Sequence, residues 1–415
     1  MLAAAFSAMQ HAAGSSFAAL QDEFSGFIAA GGDDLAHFAA FEAISAQQRG
    51  KPWQQWPQAL RDAEPAAIAS FAAGHRADIR FVQFQQWLCE RALADAAAAT
   101  GLAIGLYRDL AVGSAPDGAE AWACQHRLAR GVSIGAPPDP FAANGQVWNL
   151  PAPDPLATER DGYRSFGRLL AANMRHAGAL RIDHAMGLQR LFWVPDGGSA
   201  TEGAYVGYDR DAHLAVLALE SQRARCMVIG EDLGTVPDGF RAAMDERKLL
   251  SYRVLWLERD GQDFVPPAQY PAMAAACVGT HDLPTLAGWW QGSDLSEIIG
   301  LGLLPAHLKA ELQAERATEK AALLAAMARA GVTLGNGPDL TPQAVAQIHR
   351  FLAASPSVLM LVQADDLAGD ATRINLPGTD RERANWRRVL APEIGALLAS
   401  PLANAILSAV RDQRG

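Results

Sequence analysis

Six compact apolar runs of strand length recur from residue 101 onward, most of them ending in a charged residue or an amide. They are GLAIGLYRDL (101–110), AGALRIDH (177–184), RCMVIGED (225–232), SYRVLWLE (251–258), AACVGTHD (275–282) and PSVLMLVQ (356–363). Near-continuous apolar runs of this kind mark parallel strands buried on both faces. Helical patterns precede most of them. DGYRSFGRLLAANMRHAG spaces Tyr163, Phe166, Leu169, Leu170 and Met174 on one face and reads as stopping at Gly178, in the place of a helix-terminating glycine. Thr341 and Pro342 open another helix as N-cap and first helical residue, running towards Leu352. Strands alternating with helices predict an α/β protein with a parallel sheet. Polar residues at the carboxyl ends of such strands are where a (β/α)₈ barrel of the TIM type carries its active site. A doubly wound open sheet is the competing architecture, but the Gly-rich phosphate loop that follows its first strand is missing here.

Closure of a TIM-type barrel requires eight strands. Residues 1–100 offer none: they are rich in Ala, Gln, Leu and Phe, and their longest helical pattern runs from Ala77 to Ala99. Either two strands hide in that segment, or the chain begins part-way through its barrel; the second is the expectation, an incomplete barrel with its first two strands absent. A barrel opened in this way exposes apolar edges, so poor stability or self-association is expected of this polypeptide alone.

Composition narrows the function classes. Half of the 415 residues are hydrophobic and only 19% are charged, without a long polar tract, which excludes a disordered chain. The formal net charge of −10 argues against nucleic-acid binding, which needs a basic face, and leaves a neutral substrate such as a sugar open. Cys89, Cys124, Cys226 and Cys277 form no CxxC or zinc-type spacing, so no structural metal is expected and the compartment reads as reducing. The opening residues lack the pattern of a signal peptide, and no apolar run is long enough to span a bilayer. A soluble cytoplasmic protein is expected.

Three strand ends each present a carboxylate among polar neighbours: Arg181-Ile182-Asp183-His184, Gly230-Glu231-Asp232-Leu233-Gly234 and Thr280-His281-Asp282-Leu283-Pro284. Residues two apart on a strand face the same way, so Arg181 and Asp183 share a side. Arg beside Asp favours the ionised carboxylate, which suits a nucleophile. Glycosidic bonds are broken by one carboxylic acid protonating the leaving oxygen while a second carboxylate attacks the anomeric carbon. Glu231 follows the apolar stretch MVIG, a desolvating floor that suits the acid. Taken singly, each of these residues has a plainer reading. A carboxylate at a strand end is more often a helix cap or a loop anion, as Asp232 and Asp109 can be, and a lone His is more often a satisfied core residue. The three motifs in order, at barrel-like intervals, favour chemistry.

RIDH, GEDLG and THDLPT resemble the sequence blocks of the α-amylase clan at barrel strands four, five and seven. The stretches GLYRDLAVG, GAPPDPFAANGQVWNLP, GALRIDHAMGLQRLFWVP, CMVIGEDLGTVP, THDLPTL and RINLPGTDRERANWRR resemble bacterial members of the 4-alpha-glucanotransferase (amylomaltase) family. The resemblance implies transfer of α-1,4-glucan segments between maltooligosaccharides, or glucan derived from starch or glycogen, by a retaining double displacement without a cofactor. It implies Asp183 as nucleophile, Glu231 as general acid and then base, and Asp282 as stabiliser of the transition state. Arg181 and His281 are expected to bind the sugar at the cleaved position and orient Asp183, with His184 as a nearby sugar contact. Asp109 matches the aspartate ending strand three, and Asn375 matches a residue lining the donor site. Residues 1–100 resemble the helical insertion that follows the family's second strand, which implies a helical insertion subdomain over 1–100 and a catalytic barrel, strands three to eight, over 101–415. The loop 135–151 is expected to curl over an acceptor groove with Phe141, Gln146 and Trp148, although simple packing is an even reading for the two aromatics. Core packing is the expectation for Trp289 and Trp290. Retention requires the two reacting carboxyls to lie only ~5 Å apart, which neighbouring strand ends can supply. Two other readings compete: an α-glucan hydrolase with the same three carboxylates, and an inactive carbohydrate-binding remnant.

Overall fold

Every one of the six apolar runs holds a strand. The computed structural model describes residues 2–11, 15–99, 101–138, 144–334, 339–379 and 381–415. Twelve strands occur among them: β1 (Leu106–Leu110), β2 (Leu128–Ala136), β3 (Gln146–Pro153), β4 (Ala177–Ile182), β5 (Arg190–Pro195), β6 (Ala204–Gly207), β7 (Met227–Gly230), β8 (Ser251–Val254), β9 (Arg259–Asp260), β10 (Asp263–Phe264), β11 (Ala274–Cys277) and β12 (Leu359–Leu361). The chain divides into two units, Met1–Val228 and Ile229–Gly415, with the division inside β7.

In the first unit, helices occupy the described residues up to Ala99. The helix Ser15–Gln47 kinks at Gly32, whose φ of 50° is open to glycine at little cost. Its Phe24 packs against Phe84 and Trp87 of the helix Arg76–Ala99, and its Phe41 packs against Trp56 and Trp122. β1 and β4 pair in parallel, with Asp109 opposite Arg181 and Leu110 opposite Ile182. The helix Arg164–Met174 lies between them in sequence and buries Leu170 and Met174, as its spacing predicts. It ends earlier than expected, however. His176 takes the left-handed turn (φ 61°), and Gly178 lies inside β4. The reason for the glycine is close backbone approach: a Cβ there would sit 1.4 Å from the carbonyl oxygen of Ile104.

An antiparallel sheet in the order β3-β2-β5-β6 joins this unit and was not legible in the sequence. β3 begins at Gln146, so the second half of the stretch expected to be a loop over 135–151 is strand. Phe141 lies outside the described residues.

In the second unit, β12, β11 and β8 form a parallel sheet in that order. Ile229 bridges Leu250 in parallel, and the Gly230 amide donates to the Leu250 carbonyl at 2.8 Å. β11 is built of Ala274, Ala275, Ala276 and Cys277, all fully buried; small side chains let neighbouring layers approach closely. Thr341 caps the helix Pro342–Ala353 by accepting from the Ala344 amide, with Pro342 in the first turn as expected. Ile348, Phe351 and Leu352 of that helix join Phe264, Leu323 and Ile406 in one core. Trp289 and Trp290 belong to that core, in line with the packing reading, and Trp289 stacks on Trp256 with ring centroids 4.3 Å apart.

Candidate active site

Parallel pairing of β1 with β4 carries the first cluster. The Asp183 amide donates to the Leu110 carbonyl (3.0 Å), which continues the ladder one residue past β4 and fixes where the side chain leaves the sheet. Arg181, two residues earlier, is buried at 5% exposure. Its Nη1 donates to both carboxylate oxygens of Asp109 (2.8 and 2.9 Å), and its Nη2 lies 2.8 Å from Asp183 Oδ1. One planar guanidinium therefore serves two carboxylates at once, a use that suits Arg and that a point-charge Lys cannot reproduce. The pairing expected between Arg181 and Asp183 is present, and Asp109 is drawn into it.

His184 follows with a left-handed backbone (φ 47°) that turns the chain sharply at the strand end. Its ring meets Trp148 edge-on, with centroids 5.3 Å apart. Trp148 Nε1 in turn donates to Gln146 Oε1 at 3.1 Å, because residues 146 and 148 share a face of β3. Burial, followed by the charge of Arg190, pushes the His184 imidazole down to about 4, so the ring is neutral at pH 7. A neutral imidazole offers both a donor and an acceptor, which suits a sugar hydroxyl. A cleft lined by Phe166, Leu188 and Tyr208 runs past Asp183 and His184.

In the second unit, Glu231 and Asp232 are adjacent and both buried, yet they do different things. Asp232 is completely enclosed and accepts from the Tyr252 amide (2.8 Å), Arg241 Nε (2.7 Å) and Arg253 Nη1 (3.2 Å). These bonds tie β8 to the end of β7 and give Asp232 the structural role that its plainer reading anticipates. Glu231 accepts from the Leu233 amide at 3.0 Å. At the end of β11, Asp282 receives Asn375 Nδ2 at 2.6 Å on Oδ1 and lies 3.2 Å from His281 Nε2 through Oδ2. His281, Asp282 and Asn375 thus come together as a second polar cluster. The described residues contain no grouping of His, Cys, Asp and Glu that could hold a metal ion.

The aromatic that sequence reasoning passed over is Trp386. Its ring lies against His281, with centroids 5.0 Å apart and planes inclined by 56°. A signal was there to be read: a Trp set alone in the polar stretch RERANWRR has no apolar periodicity to place it in a core.

Parallel strands alternating with helices, with carboxylates and their partners at the strand ends, define an α/β protein of the TIM type. The solved crystal structure of amylomaltase from Corynebacterium glutamicum has the same architecture: it superposes with a TM-score of 0.84 at 29% identity, covering 100% of this chain and 59% of that one. The chain belongs to the 4-alpha-glucanotransferase family, whose model matches residues 1–393. It is 40% identical over 366 residues to the 4-alpha-glucanotransferase of Mycobacterium tuberculosis, covering 86% of this chain and 50% of the relative. The corresponding figures for the 4-alpha-glucanotransferase of Haemophilus influenzae are 36% over 360 residues, 84% and 51%. The chain thus spans about half the length of these curated relatives. No helix among the described residues is long and apolar enough to cross a membrane.

Proposed function

We propose that this chain carries the catalytic carboxylates of an enzyme that moves α-1,4-glucan segments between maltooligosaccharides, with the six parallel strands serving as staves three to eight of the barrel. The observation that supports this best is the grip of buried Arg181 on Asp183 at the end of β4. A carboxylate gripped and oriented by a guanidinium at a strand end beside a cleft is the equipment of a nucleophile. The relatives, all named 4-alpha-glucanotransferases, supply the substrate class.

In this reading Asp183 attacks the anomeric carbon as the glycosidic bond breaks. Glu231 gives its proton to the departing 4-oxygen, leaving a β-linked glycosyl ester on Asp183. Glu231 then takes the proton of an incoming 4-hydroxyl, and attack of that oxygen on the ester restores the α configuration. Asp282, steadied by Asn375 and His281, binds hydroxyls of the ring being transferred and favours its charged, flattened transition state. Arg181, Asp109, His184, Gln146 and Trp148 are proposed to position the sugar and the nucleophile. No cofactor enters these steps, since two carboxyl groups suffice. The work is proposed to take place in the cytoplasm, where the four free thiols would stay reduced.

Incubation with maltotriose tests the proposal. Glucose plus a ladder of longer oligosaccharides is the expected outcome. Shorter products alone would make the chain a hydrolase, and saccharide binding without turnover would make it a binding remnant.

A further inference from the structure

The segment from Arg373 to Trp386 is held by a dense set of hydrogen bonds around one exposed aromatic. Glu297 receives both Arg373 Nε (3.3 Å) and Arg383 Nε (2.8 Å). Arg383 Nη1 donates to the Ile374 carbonyl and to Asn385 Oδ1 at 3.0 and 2.8 Å. The Asn385 side chain also accepts from the Leu376 amide (3.1 Å) and donates to the Thr379 carbonyl (2.9 Å). The Trp386 amide closes the loop on Ile374 O at 3.1 Å. The product of this bracing is a tryptophan with a left-handed backbone (φ 59°) and 60% of its surface in solvent.

Both features are costly. A bulky residue at positive φ is an outlier that persists only when its surroundings over-determine it. Leaving an indole in water forgoes the burial that stabilises aromatic side chains. The same loop donates Asn375 to Asp282, so it delivers two side chains to one turn: an amide on the carboxylate of Asp282, and an indole beside the ring of His281.

We infer that Trp386 is a stacking platform for a pyranose ring of the glucan, seated next to the ring that His281 and Asp282 hold. The inference rests on the proposed function of the same site and adds a binding and specificity-determining residue to it. An indole face matches the C–H face of glucose, and a ring already docked against His281 loses little freedom when sugar arrives. Such a contact strengthens substrate binding without touching the reacting atoms, so it acts on KM more than on kcat.

The test uses the full chain, with maltotriose and maltoheptaose as substrates. Wild-type protein is compared with Trp386→Ala and Trp386→Phe by initial rates and by tryptophan fluorescence under saccharide titration. We expect Trp386→Ala to raise KM about tenfold with kcat changed less than about threefold, and Trp386→Phe to recover most of the loss. We also expect the saccharide-induced fluorescence change of the wild type to shrink in Trp386→Phe. An active Trp386→Ala variant with KM within about twofold of wild type overturns the inference and leaves the proposed function standing. So does a fluorescence response in folded Trp386→Phe equal to that of the wild type, a readout that remains available should the Ala variant fail to fold. A wild-type chain that neither binds nor processes either saccharide overturns both.

Discussion

Arg181 Nη2 lies 2.8 Å from Asp183 Oδ1, and the two residues sit on one side of the chain because β4 is extended between them. The same guanidinium holds Asp109, directly opposite Arg181 in the β1–β4 register. A parallel ladder has thereby gathered two carboxylates from separate segments onto one guanidinium.

Replacing Arg181 by Lys keeps the charge and removes the fork. We expect a folded protein whose glucan transfer falls about 100-fold, because Asp183 loses its aim. Circular dichroism and initial rates on maltotriose check this; activity within threefold of wild type would detach Arg181 from the mechanism.

The Glu231→Gln change preserves shape and the bond from Leu233 while removing the transferable proton. Turnover of maltotriose is expected to drop at least about 1000-fold with the melting temperature nearly unchanged. Retained turnover would take Glu231 out of the acid/base role.

Asn375→Asp sets a second carboxylate against Asp282 across a contact that now measures 2.6 Å. Two anions this close repel, so we expect activity to fall well below that of Asn375→Ala at pH 7 and to recover partly as the pH is lowered and the pair shares a proton. Rate–pH profiles of the two variants decide; identical profiles would mean that the contact is idle during turnover.

Buried His349 and Asp366 lie 3.8 Å apart under the turn that carries Asp282, and Asp366 accepts from the Leu286 amide at 2.8 Å. Burial pushes the His349 ring down to about 4 and the Asp366 carboxyl up to about 7. The folded state holds fewer protons on His349 than the unfolded chain, so the stability this group contributes is complete above its unfolded value near 6.5 and is lost as pH falls through about 4. Asp366 has the opposite sign: its contribution is complete below its unfolded value near 3.8 and is lost as pH rises through about 7. The two slopes oppose each other between about 4 and 6.5. Asp366→Asn removes one of them and is expected to make stability fall on acidification through that window more steeply than in the wild type. Urea melts at pH 4.5, 5.5 and 6.5 measure it; parallel curves for the two proteins would contradict the assignment.

Gly178→Ala places a methyl group on the Ile104 carbonyl oxygen, and backbone there has no room to give. We expect a loss of about 3 kcal/mol or insoluble protein, read from thermal melts. An unchanged melting temperature would show that β1 can shift away from β4 at little cost.

Much of this molecule was legible in its residue order. The six strands β1, β4, β7, β8, β11 and β12 announce themselves as apolar runs, and the cap at Thr341 follows from local chemistry, because both depend on neighbours a few residues away. The hairpin strands β2, β3, β5 and β6 were not legible. They carry polar and aromatic residues without a clear alternation, and their pairing is antiparallel across long connections. Gly178 was misplaced for a related reason: a glycine required by a distant carbonyl looks, in the sequence, like one that ends a helix.

What the order of residues determined by itself was the family, the α/β alternation and the short list of carboxylates at strand ends. What only the tertiary structure decided was the partner each polar group receives. It enclosed Asp232 with two arginines and a backbone amide, gave Asp282 an amide from 93 residues away, and brought exposed Trp386 to His281. Periodicity encodes how a segment is buried, since burial repeats with the local geometry of helix and strand. Partnership between segments far apart along the chain carries no such period, and it becomes definite only once the backbone has closed the distance.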